Sequence, residues 1–326
     1  MKKFVKILAI IFGILILLLI AGISFLKLAL PNVGEPELLT INGSDEQIEH
    51  GKYLANNVMV CMDCHSERDW TKFSGPVIEG TLGKGGEIFN EDMGFPGSFI
   101  SKNITPYALS SWTDGEIFRA ITTGVSKDGN ALFPIMPYTH YGKVDRNDIE
   151  AVIAYLKTLP SIESEIKESE ANFPMNLIIN TMPEKPQFIT KPKVNDRIQY
   201  GAYLVNSAAC YDCHTKQEKG KFTGEDFAGG MEFRFKDGSI VRAPNITPSQ
   251  SGIGSWTKDQ FIERFKFYAD SIYVPPLVES GSFQTVMPWT MYSGMKEEDL
   301  GAIFAYLKTL KPVENTVERF STASVN

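Results

Sequence analysis

The chain opens on an unbroken apolar run. Residues 7–26, ILAIIFGILILLLIAGISFL, carry no charge, with Lys2, Lys3 and Lys6 before them and Lys27 behind. Twenty helical residues rise about 30 Å, the thickness of the hydrocarbon core of a bilayer, so the run predicts a transmembrane helix. A removed leader is the competing expectation, although a cleavable signal has a shorter apolar region of about 7–15 residues and a small-residue cleavage site. The early lysines favour a cytoplasmic N-terminus and place residues 35–326 outside. No cysteine follows the run, which excludes a lipid-anchored lipoprotein.

Further on, the apolar positions take up a helical period. Ile149, Val152, Ile153 and Leu156 fall at i, i+3, i+4 and i+7, as do Leu300, Ile303, Phe304 and Leu307. Acidic residues crowd the starts of both segments, and Pro160 and Pro312 lie just past their ends, so two amphipathic helices are predicted. GKYL at Gly51 and GAYL at Gly201 each predict a further short helix. The glycine, having no Cβ, lets a second helix cross closely, and the C-terminal helix of the same segment is the expected partner. Strands are weakly signalled; Met231–Arg242, with Asp237-Gly238 at its centre, is the best hairpin candidate.

These elements recur because the sequence does. GKYLANNVMVCMDCH at Gly51 aligns with GAYLVNSAACYDCH at Gly201. KNITPYALSSWT at Lys102 aligns with PNITPSQSGIGSWT at Pro244, and the MP…AYLKTL block at Met136 aligns with that at Met287. Three blocks in one order indicate a tandem duplication. Residues 161–195 between the copies hold Pro174, Pro183, Pro186 and Pro192 and no long helical stripe, as expected of an extended linker or a strap laid over the surface. The expected division is residues 1–34 as cytoplasmic stub and anchor, 35–160 and 196–326 as two domains, and 161–195 as linker.

Composition is that of a folded chain, 43% apolar and 22% charged. Residues 1–34 hold four lysines and no acid, which leaves the remainder with a formal charge of about −11 and argues against a nucleic-acid partner.

All four cysteines lie in CMDCH, Cys61 to His65, and CYDCH, Cys210 to His214. Cys-x-x-Cys-His is the attachment pattern of c-type haem. Two thiols three positions apart on one helical turn each form a thioether to a haem vinyl group, and the next histidine turns its imidazole to the iron. A disulfide framework adds little to a core of this size. A zinc site requires the two distant pairs to meet, a thioredoxin-like pair requires a strand-to-helix context, and neither explains the histidines. Two covalently bound haem c groups are therefore expected, at Cys61, Cys64 and His65 and at Cys210, Cys213 and His214.

The second axial ligand decides whether such a site carries electrons or handles ligands. Met136 and Met287 lie 71 and 73 residues after the two histidines, each followed by proline, which stiffens the loop presenting the sulfur. Met291 and Met295 are rivals of Met287, and His140 is a rival of Met136. Asn103 with Trp112 and Asn245 with Trp256 supply either donors to haem propionates or, equally, a turn and core tryptophans, with Thr113 and Thr257 as helix caps.

GAYLVNSAACYDCH, the NITP block, GIGSWT and the MP…AYLKTL ending together resemble the c-type cytochrome subunits of membrane-bound alcohol and gluconate dehydrogenases over roughly residues 45–315. The resemblance implies a mainly α fold, an N-terminal transmembrane helix followed by two tandem class I cytochrome c domains, with His65/Met136 and His214/Met287 as axial pairs. Those subunits typically carry three such domains, and this chain has two. The implied function is electron relay at the periplasmic side of the cell inner membrane, without catalysis of its own. Its partners would be a dehydrogenase or quinol-oxidising complex on one side and a terminal oxidase or soluble cytochrome on the other. A dihaem peroxidase is the alternative; it needs one iron with a displaceable ligand.

Overall fold

The computed structural model describes residues 2–269 and 273–322. Its architecture is mostly helical. Helix α1 (Lys2–Leu28) is the apolar run; none of its residues is buried, and it is long and apolar enough to cross a membrane. Eight labelled helices make the framework, the other seven being α2 (Asp45–Tyr53), α3 (Asp114–Thr123), α4 (Arg146–Leu156), α5 (Met175–Ile178), α6 (Arg197–Ser207), α7 (Lys258–Lys266) and α8 (Glu297–Leu307).

Local chemistry sets where these helices begin. Ser44, Asp145 and Asp196 accept backbone N–H groups at the starts of α2, α4 and α6. Thr113 and Thr257 form complete capping boxes with Glu116 and Gln260, as expected of them. The predicted apolar stripes of α4 and α8 are buried: Ile149 and Ile153 are 0% exposed, as is Leu300.

The glycine expectation holds in both copies. α2 lies across α4 and α6 across α8, and a Cβ on Gly51 would sit 1.8 Å from the Ala151 carbonyl oxygen, one on Gly201 2.0 Å from that of Ala302. Only a residue without a side chain permits that approach. The first copy has one more residue between its glycine and its first cysteine, and the chain accommodates it as a π-helical turn, Leu54–Val58.

Each copy also carries a small antiparallel sheet. β1 (Ile88–Phe89) pairs with β2 (Gly97–Ile100), and β3 (Glu170–Ala171) adds to the far edge of β2. β4 (Glu232–Arg234) and β5 (Ile240–Arg242) form the predicted hairpin, with Gly238 at φ +81°, and β6 (Phe320–Ser321) joins β5. β3 and β6 come from the segments that follow α4 and α8, so each copy's tail returns to close its own sheet.

The two copies share one apolar core and exchange polar contacts in a reciprocal pattern. The Tyr53 hydroxyl, from α2, donates to Asp299 on α8 at 2.5 Å and accepts the Lys296 N–H. The Tyr203 hydroxyl, from α6, donates to Asp148 on α4 at 2.5 Å and accepts the Asp145 N–H. Each tyrosine thus caps the other copy's terminal helix. Asp148 also takes hydrogen bonds from His50 at 2.8 Å and Lys191 at 2.6 Å, and Asp299 takes one from Tyr200 at 3.0 Å. Both carboxylates are buried, 2% and 1% exposed, and both are hydrogen-bonded, as buried charge requires.

Two outcomes follow. Gly51→Ala or Gly201→Ala forces a helix pair apart and lowers stability by about 1–3 kcal/mol or more, read as a shift of the denaturant midpoint; an unchanged midpoint would contradict the close crossing. For Asp148, burial raises its pKa, but hydrogen bonds from His50, Lys191 and Tyr203 outweigh it and leave the pKa below the ordinary 3.8. The stability it contributes is present above pH 3.8 and is lost as the pH falls through the lowered folded value. Asp148→Asn removes that component, so urea midpoints of variant and parent converge in acid; parallel curves would show the carboxylate contributes nothing.

Candidate functional site

The two cysteine pairs sit on equivalent single turns, Cys61–Cys64 and Cys210–His214. The residue before each turn, Val60 and Ala209, has a left-handed backbone, φ +46° and +49°. For a β-branched valine that conformation is costly, and its presence in both copies shows that the fold enforces the sharp bend from helix into cysteine turn. The four thiols are free of disulfides. Burial pushes Cys61, Cys64 and Cys210 up to about 12, which keeps them as thiols at neutral pH. Among the described residues no group of three or more His, Cys, Asp or Glu side chains converges to hold a metal ion.

The histidines are held alike. His65 Nδ1 donates to the Lys102 carbonyl at 2.7 Å, and His214 Nδ1 to the Pro244 carbonyl at 2.9 Å. A carbonyl cannot donate, so Nδ1 carries the proton and Nε2 keeps a bare lone pair. Burial lowers both imidazole pKa values and favours that neutral form. Neutral imidazole oriented through its other nitrogen is the state in which histidine ligates a metal.

The histidine carbonyls rest on glycines. Gly85 N–H donates to His65 O at 2.9 Å and Gly229 N–H to His214 O at 2.7 Å. Both glycines have positive φ, +77° and +76°, and a Cβ would strike the carbonyl-bearing segments at Lys102 and Pro244. Both begin a Gly-Gly pair, Gly85-Gly86 and Gly229-Gly230; this recurring pair is the sequence sign of the support, and the three longer blocks overshadow it.

The asparagines belong to the fold. Asn103 Oδ1 accepts from the Thr105 N–H and hydroxyl, and its Nδ2 donates to Ile162 O at 2.8 Å. Asn245 accepts from Thr247 in the same way and donates to Val313 O at 2.7 Å, with Ser249 and Ser251 also in reach. At 4% and 5% exposure both amides are built into these turns. Trp112 and Trp256 pack partly buried against the core, and among the described residues neither indole N–H has a partner.

Met136 and Met287 occupy matching turns. Tyr138 N–H donates to Met136 O at 2.7 Å and Trp289 N–H to Met287 O at 2.8 Å, across prolines at φ −79°, ψ 52° and φ −79°, ψ 65°. These are inverse γ-turns, preset by the proline ring. Two of the rivals are otherwise engaged. Met295 is core, 1% exposed. His140 uses both nitrogens on the second copy, Nδ1 with Asn206 Oδ1 at 3.0 Å and Nε2 with Asp212 at 2.9 Å. Burial opposes its imidazolium, but the hydrogen bond and charge of Asp212 win and raise its pKa.

A segment of the first copy braces the second methionine turn. Ser74, 1% exposed with φ +66°, donates its hydroxyl to Met287 O at 2.6 Å and accepts the Trp289 N–H at 3.2 Å. Gln284 ties the same loop to Ser74 N and to the carbonyls of Trp70 and Lys72. No sequence pattern marks this brace. Reciprocal contacts also link each cysteine segment to the other copy's methionine segment: Asn57 donates to Met291 O and Asn206 to His140 O.

Residues 198–311 match the cytochrome c family model. A protein named diheme cytochrome c-type from Cereibacter sphaeroides is 28% identical over 92% of this chain and 97% of its own length. The cytochrome c subunit of alcohol dehydrogenase (quinone) from Gluconacetobacter polyoxogenes is 28% identical over 82% of this chain, and the gluconate 2-dehydrogenase cytochrome c subunit from Pantoea cypripedii 25% identical over 88%. The chain spans only 56% and 65% of those two subunits. The C-terminal region thus matches cytochrome c, and most of the chain is similar to a dihaem cytochrome c and to dehydrogenase cytochrome c subunits.

Proposed function

We propose that the chain is a membrane-anchored dihaem electron carrier, built as two tandem cytochrome c domains, residues 35–160 and 196–326, joined by residues 161–195. The observation that carries this reading is the pair of matching histidines, each with Nδ1 on a backbone carbonyl and Nε2 unencumbered beside two thiols. Cys61 and Cys64 would hold one haem and Cys210 and Cys213 the other, with His65/Met136 and His214/Met287 as axial pairs and the indoles of Trp112 and Trp256 as donors to propionates. Bound haem supplies an iron that takes up and gives back one electron, at a potential raised by Met/His ligation relative to two histidines.

The remaining work falls to the protein. The γ-turns hold each methionine on a stiff backbone, and the carbonyls of Lys102 and Pro244 fix the imidazole planes. The contacts of Asn57 and Asn206 bring each attachment segment against the other copy's methionine segment, which supports transfer between the two sites within one chain. A peroxidase would need the sites to differ at the sulfur position, and the matching Met-Pro turns favour a carrier.

Helix α1 would anchor the carrier in the inner membrane with the haem domains on the periplasmic side. The similarity to dehydrogenase cytochrome c subunits supports a dehydrogenase as electron donor, and the acidic body suits partners that present basic docking patches.

Met136→Ala and Met287→Ala each open one iron, seen as carbon monoxide binding to one of two haems in the reduced spectrum, whereas His140→Ala and Met291→Ala leave both closed. Ready carbon monoxide binding by the parent protein would overturn the carrier reading. Ser74→Gly tolerates the positive φ, removes two hydrogen bonds from the Met287 turn and weakens that sulfur's hold. The expected result is a lower potential for one haem and an unchanged potential for the other; two unmoved potentials would show that the brace does not reach the iron.

A further inference from the structure

The strap between the copies contains a stretch for which neither packing nor electron transfer accounts. Charge is dense before it, at Glu163, Glu165, Lys167, Glu168 and Glu170, and resumes at Glu184 and Lys185, yet residues 171–183, ANFPMNLIINTMP, carry none. The stretch is fixed at both ends. Ala171 pairs with Gly97 in the first sheet, and Asn180 Nδ2 donates to the Leu26 carbonyl at 3.0 Å. Helix α5 and the single turn Ile179–Thr181 therefore lie against the outer end of α1.

The apolar side chains of this stretch are not folded away. Phe173 is 78% exposed and Ile178 42%, while Met175, Leu177 and Ile179 are half-buried. In water such a patch is a liability. At the level where a membrane helix leaves the bilayer, the boundary between headgroups and acyl chains accepts aromatic and aliphatic side chains and disfavours charge. The stretch is continuous with that level, because it touches the last turn of α1, and its composition fits that level. With no lysine or arginine of its own, it is matched to the acyl boundary rather than to anionic headgroups.

We infer that residues 173–179 form an interfacial foot, resting on the phospholipid surface beside α1 with Phe173 and Ile178 in the lipid, which fixes the height and tilt of the body above the membrane. The inference rests on the reading of α1 as an anchor.

The test uses the full haem-loaded chain in phosphatidylethanolamine/phosphatidylglycerol nanodiscs, with a spin label on a cysteine introduced at position 173, 178, 185 or 17. Wild-type chain, its cysteines held in thioethers, takes up no label and serves as the control for the haem reading. Labels at 173 and 178 are expected to favour collision with oxygen over a water-soluble nickel chelate severalfold more than the label at 185. If 173 and 178 match 185 while 17 reads as lipid, the foot is overturned and the anchor stands. If 17 is also open to water, both fall. Dipolar broadening between labels at 173 would assign the patch to a second copy and overturn the lipid assignment.

Discussion

Backbone meets backbone where α2 crosses α4 and where α6 crosses α8, with Gly51 and Gly201 almost touching the carbonyls of Ala151 and Ala302. That approach sets the distance from which every other relation is measured. In each copy the segment before the C-terminal helix is tied to the residues just before the cysteine turn, the Tyr141 hydroxyl donating to the Met59 carbonyl and the Tyr292 hydroxyl to that of Ala208. The crossing also carries Tyr53 and Tyr203 past their own copies to the helix starts of the opposite ones. A side chain at either glycine would displace the attachment site and the interface together.

The interface is unusual in what it buries. Asp148 and Asp299 are almost wholly removed from water, and a buried carboxylate is destabilising unless each oxygen is occupied. Here each receives a donor from its own copy and one from the other, so neither copy alone satisfies its aspartate. The pairing therefore specifies how the copies meet more than it adds to their stability.

Much of this was legible in the sequence because it is local or repeated. The cysteine-histidine turns, the Thr113 and Thr257 caps, the hairpin at Asp237-Gly238 and the glycine crossings each follow from a few adjacent residues or from a period. The repeat itself separated Met136 and Met287 from the other methionines. What escaped was non-local. β3 and β6 are two-residue strands whose only cause is an open sheet edge formed far upstream. The Tyr–Asp exchange joins residues 246 and 55 positions apart, and the Ser74 contact joins residues 213 apart, with no period to announce them. Asn103 and Asn245 are evenly balanced in the sequence because an amide suited to a propionate suits a turn equally well; the Thr two residues on, in NIT, is what each Oδ1 accepts from in the fold.

The duplication is not a true symmetry. A segment of the first copy props the Met287 turn through Ser74 and Gln284, and among the described residues nothing from the second copy does the same for Met136. The sequence repeat supplies two matching Met-Pro turns, and among the described residues one of them has a buttress from the other copy. Under heat or denaturant the unbuttressed turn should loosen first, which gives the chain a built-in order of failure in which the first copy yields while the other still stands.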